Sequence, residues 1–152
     1  MCVCVCVLLQ AARYLLKHGR ADPNGRDKYG NTPIHRAAEA EGGSLLMQYL
    51  VYRHAKVAVL NGRNETPLHV ATRYGRDILV QHLLEQGCDV DAVNDVGDTP
   101  CHVAAEGGHI KCLDLLIKAK ADLNRKNRRN MTPKGIAKDK NTLAVLIASG
   151  CG

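Results

Sequence analysis

An all-α solenoid, stacked from short helix–turn–helix units, is the fold predicted for this chain of 152 residues. Three observations carry that expectation. Thr-Pro-x-His occurs at Thr32-Pro33-Ile34-His35, Thr66-Pro67-Leu68-His69 and Thr99-Pro100-Cys101-His102, and a degenerate Thr132-Pro133-Lys134-Gly135 follows, at separations of 34, 33 and 33 residues. A fixed period in this range marks stacked supersecondary units. Each full motif leads into small residues (Ala37-Ala38, Ala71-Thr72, Ala104-Ala105) and then into an apolar stripe at helical spacing. Phe and Trp are absent, and apolar bulk from Leu, Val, Ala and Ile suits closely packed helices.

Residues 99–124 show the unit most clearly. Thr99 suits a helix N-cap and Pro100 the first helical position, where no amide hydrogen bond is lost. Gly107-Gly108 breaks this helix. Ile110, Leu113, Leu116 and Ile117 then form the stripe of a second one. A unit this small cannot bury its own stripe, so it needs neighbours.

In chain order, residues 1–7 are a low-complexity Cys/Val tract, whose alternation suits a short strand or the product of a TG-repeat coding tract, and less well a signal peptide, since a basic start is missing. Residues 8–26 match only the second helix of a unit. Leaving about three Leu-class side chains uncovered there would cost roughly 5–9 kcal/mol. This stretch therefore predicts a longer natural polypeptide, or an uncapped helix face open to self-association. Residues 27–60, 61–93 and 94–126 are the three full units. His54 and Lys120 stand where a helix-ending Gly is expected, and Asn64 replaces a turn Gly. The repeat family that this pattern resembles has an apolar residue where Arg36 stands, which implies that its stem packs while its guanidinium reaches solvent. Residues 127–152 form a polar, degenerate closing unit, as a solenoid end requires, with a second helix over Thr142–Ala148 presenting Leu143, Leu146 and Ile147.

These motifs resemble the ankyrin-repeat family over roughly residues 8–150. The resemblance implies hairpin fingers between units and recognition of a protein partner. The contacts come from finger tips and from positions after each small pair on the concave face. Those positions are Lys28, Tyr29 and Asn31 with Glu39 and Ala40; Gly62, Arg63 and Glu65 with Arg73 and Tyr74; Asp95, Val96 and Asp98 with Glu106; and Arg128, Arg129 and Met131. Tyr and Arg are the usual interface anchors, which singles out Tyr29, Arg73 and Tyr74. Asp95, Asp98 and Glu106 suggest a mixed, acidic centre. The resemblance also gives Thr32, Pro33, His35, Thr66, Pro67, His69, Thr99, Pro100 and His102 structural roles, and makes Asn124 a candidate for asparaginyl hydroxylation.

Chemistry beyond binding finds little support. His35, His69 and His102 lie one repeat apart, roughly 10 Å in packed helices, too far for shared ligation at about 2 Å per bond. Asp98, Cys101 and His102 are already accounted for by the repeat, and neither a phosphate-binding glycine loop nor a C-x-x-C pair outside the motifs is present. No enzyme and no cofactor is expected. Seven cysteines without framework spacing point to reduced thiols and an intracellular location, and no run is long enough to span a membrane. Ten of the 21 lysines and arginines, but three of the 15 acids, lie in residues 111–152. Arg125-Lys126-Asn127-Arg128-Arg129 could therefore dock an acidic ligand, but the run lacks aromatic platforms, which argues against nucleic acid. A further reading is a regulatory segment of a larger enzyme, channel or kinase.

Overall fold

The computed structural model describes residues 22–150. The tract at 1–7, the apolar helix expected after Leu8 with its self-association face, and Cys151 lie outside the described residues. Eight helices, and no strands among the described residues, follow one another: α1 (Pro33–Glu39), α2 (Gly43–Tyr52), α3 (Pro67–Arg73), α4 (Asp77–Glu85), α5 (Pro100–Gly107), α6 (Ile110–Lys118), α7 (Pro133–Ile136) and α8 (Lys140–Ala148). Helices α1, α3, α5 and α7 pack successively in one row, and α2, α4, α6 and α8 form a second row behind them. Each first-row helix also packs on the second-row helix that follows it. The arrangement is the all-α repeat solenoid expected from the sequence.

Local chemistry explains the helix starts. Thr32, Thr66, Thr99 and Thr132 all hold extended backbone just before a Pro that opens the helix. Ala37, Ala38, Ala71, Thr72, Ala104 and Ala105 are fully buried, and their small side chains let the second row approach. Ile34 and Leu68 from the first row and Met47, Leu50, Val80, Leu83, Leu113, Leu116 and Leu146 from the second belong to one continuous buried core. In α6 the buried stripe centres on Cys112, Leu113 and Leu116, with Ile110 and Ile117 half-buried at its margins. In α8 only Leu146 of the three expected apolar residues is fully buried, and Ile147 faces solvent because the second row ends there among the described residues.

His54, Asn64 and Lys120 all adopt the left-handed backbone conformation of the glycines that they replace (φ 62°, 53° and 65°). Asn130 does the same in the last finger (φ 61°).

Candidate functional site

Four fingers are built by one repeated device. Asp27 Oδ1 accepts the amides of Tyr29 and Asn31 at 2.8 and 2.9 Å. Asn61, Asn94 and Asn127 do the same for residues two and four positions later, at 2.9–3.1 Å. A short polar side chain that bonds the backbone ahead of it is a standard way to close a turn. The fingers are then linked to one another. Gly62 N–H donates to Tyr29 O (2.9 Å), Asp95 N–H to Arg63 O (3.1 Å) and Arg128 N–H to Val96 O (3.1 Å). A Cβ at Gly62 would stand 2.7 Å from Tyr29 O, so a side chain there would push the first two fingers apart, whereas Asp95 and Arg128 make the equivalent bonds at the slightly longer 3.1 Å.

The motif histidines clamp the finger bases. Nδ1 of His35, His69 and His102 accepts the main-chain N–H of Thr32, Thr66 and Thr99, each at 3.2 Å. The threonine hydroxyls also donate to Nδ1, at 2.9–3.0 Å. Nε2 faces the carbonyl of the next finger: Glu65 O at 2.9 Å, Asp98 O at 3.0 Å and Met131 O at 3.0 Å. An amide N–H only donates and a carbonyl only accepts, so each ring is the neutral Nε2–H tautomer. Burial pushes all three below the ordinary histidine pKa, outweighing the carbonyl bonds.

Between the first two fingers and helices α1 and α3 lies an open cleft of about 340 Å³. It brings together Tyr29, Asn31, Glu39, Arg63, Glu65, Arg73 and Tyr74, with Arg36, Asn61 and Val70. Its floor is a network of bonded charges in which Arg36 is shared by two carboxylates. Arg36 donates through Nε and Nη2 to Asp27 Oδ2 (3.0 and 2.5 Å) and through Nη1 to Glu39 (2.9 Å to Oε2). Arg73 Nη2 donates to Glu65 Oε1, and Asn61 Nδ2 donates to Glu65 Oε2 at 3.1 Å. Burial raises the Glu65 carboxyl, but these bonds outweigh it and leave its pKa below the usual carboxylate value. The rim is different. Tyr29 and Tyr74 are 60% and 48% exposed. Lys28 Nζ sits 4.9 Å from the Tyr29 ring centre, within cation–π range.

Several residues assigned to the contact surface by sequence are buried or packed on the core in the structure. Glu65 is buried because its charge is met by Arg73 and Asn61. Asp98 is buried because Asn127 Nδ2 donates to its Oδ1 at 2.6 Å. Met131 packs on the hydrophobic core while its carbonyl serves His102. The acidic centre is also largely occupied. Asp95 Oδ1 accepts from Asn64 Nδ2 (2.5 Å), and Lys138 Nζ donates to Glu106 (3.2 Å). Asp95, Val96, Glu106, Arg128 and Arg129 are exposed, but in the third and fourth fingers and α5, away from the cleft. Arg36, Asn61 and Val70 are cleft residues that sequence reading did not assign. Asn61 had a signal, because Asp27, Asn61, Asn94 and Asn127 share the 34, 33, 33 period.

Other chemistry is quiet. Cys101 and Cys112 are buried and Cys88 half-buried, and burial pushes the Cys112 thiol up to about 11. Among the described residues, no helix is long and apolar enough to cross a membrane, and no His, Cys, Asp or Glu cluster is arranged to hold a metal.

Residues 39–127 match the family described as ankyrin repeats (3 copies), and residues 9–43 match that described as ankyrin repeats (many copies). A chain of Rickettsia bellii (strain RML369-C) described as an ankyrin repeat protein is 35% identical over 63 residues, which cover 40% of this chain and 35% of that relative. The match thus spans about a third of the relative's length. With the repeated motif, the two-row helix stack and a family match over more than half its length, this chain belongs to the ankyrin repeat family.

Proposed function

We propose that this chain is a protein-recognition module that docks a partner protein in the cleft between its first two fingers, on the concave side of the stack. Ankyrin repeats in general serve as protein–protein interaction modules. The observation that carries the specific reading is the pair of exposed tyrosines above a floor whose charged groups are bonded to one another. Tyr offers large contact area for little lost rotamer freedom, and Tyr and Arg dominate interface hot spots. The fingers are pre-ordered by main-chain and Asx bonds, so little ordering entropy opposes docking. Arg73 serves this site from its floor, and Tyr29, Arg63 and Tyr74 are the contact residues.

A photo-crosslinking residue at position 29 or 74, compared with one at the exposed Ile78 of α4, tests the reading. One protein should be trapped from both cleft positions and not from position 78. Trapping only from position 78 would refute it.

A further inference from the structure

We infer that the cleft selects an acidic segment of its partner, with a carboxylate seated on Arg63 between Tyr29 and Tyr74; this rests on the cleft being the docking surface. The inference follows from which charges in the cleft are still available. Glu39 is held by Arg36, and Glu65 by Arg73 and Asn61. A lysine or arginine arriving from a partner would therefore meet carboxylates that are already engaged. Arg63 is exposed and forms no ion pair among the described residues, and Lys28 stands on the same rim with its ammonium over the Tyr29 ring. The nearest acid in sequence on the next finger, Asp95, is turned to Asn64 Nδ2, although its amide bonds the carbonyl of Arg63. An incoming carboxylate on Arg63 meets a guanidinium that forms no ion pair among the described residues, and its planar fork suits bidentate binding. The flanking rings offer apolar faces to the neighbouring side chains of the segment.

Displayed random 12-residue peptides, selected on the full chain, test this. The wild-type chain should enrich Asp or Glu at one dominant position. Selection on Arg63→Glu should replace that acid by Lys or Arg. The best acidic peptide should weaken about tenfold when its acid is changed to the amide, and by a similar factor on Arg63→Ala, with the circular dichroism of the variant unchanged. Peptides without an acid, or with equal affinity for wild type and Arg63→Glu, overturn the inference. If those peptides still lose affinity on Tyr29→Ala/Tyr74→Ala, the cleft stands as a docking surface and only its acid preference falls. If they ignore the tyrosines as well, or if no peptide is enriched, both readings fall.

Discussion

Removing the Arg73 guanidinium should destabilise the second repeat through Glu65. The Glu65 side chain is 4% exposed, and Arg73 and Asn61 are the donors to its carboxylate oxygens. Stripping the partner from a fully buried ion pair costs about 3–5 kcal/mol, because the remaining charge is left uncompensated. Here the Arg73 side chain is 38% exposed, so water can enter the truncated site and solvate the carboxylate, and Asn61 stays in place. The expected loss for Arg73→Ala is therefore about 1–2 kcal/mol, or about 2–8 °C in Tm for a domain of this size. Urea denaturation at pH 7 measures it directly. Glu65→Gln in the same background should recover about 1 kcal/mol, so the double-mutant cycle should be non-additive. The pH dependence has a definite sign. Folded wild-type Glu65 titrates below its unfolded value of 4.5, so its contribution is full above that pH and is lost as pH falls through the lowered folded pKa. The deficit of Arg73→Ala should thus be largest near neutrality and shrink in acid. A loss below about 0.5 kcal/mol at pH 7, or an additive cycle, would refute the reasoning.

Three other outcomes follow from the same geometry. The motif histidines are held neutral below their unfolded pKa of 6.5, so stability should be full above pH 6.5 and fall as pH drops toward their lowered folded values. Each histidine that is protonated only on unfolding adds to the slope, and urea midpoints that fall from pH 7.5 through 6.5 to 5.5 will show it. Lys120→Gly should raise stability by about 1 kcal/mol, since an exposed lysine at φ 65° pays the left-handed penalty that glycine avoids; a thermal melt checks the direction. Asn127→Ala should cost about 2–3 kcal/mol in chemical denaturation, because the buried amide serves Asp98, Arg129 and Met131 at once.

The Thr-Pro start was legible because it depends on residues within one helical turn, and the repeat period because that start recurs in fixed register. The left-handed positions of His54, Asn64 and Lys120 were legible for the same reason, being set by repeat register. Which charged residues face a partner was not. Glu65 and Asp98 are finger acids by position, yet each is buried by its donors, Asn61 of the same finger and Arg73 of α3 for one and Asn127 of the next finger for the other. Periodicity locates a side chain on a finger, but the donors that the fold brings to it, from its own repeat for Glu65 and from the next repeat for Asp98, decide whether it turns in or out. The finger acids Asp95 and Asp98 are met by Asn64 and Asn127, so an acid-rich stretch of sequence became a largely engaged surface. Arg36 shows the opposite case. Its unusual position was visible in the sequence, but its bridge between Asp27 and Glu39 needed the structure.

The claim on which the account rests is that the cleft between the first two fingers is the recognition surface. Calorimetric titration of the partner trapped from position 29, against wild type, Tyr29→Ala/Arg63→Ala/Tyr74→Ala and the second-row control Leu45→Ala/Ile78→Ala, tests it most directly. The account predicts that the cleft variant binds at least about thirtyfold more weakly, equivalent to about 2 kcal/mol, while the control binds as wild type does. Unchanged affinity for the cleft variant together with weakened binding of the control would contradict it.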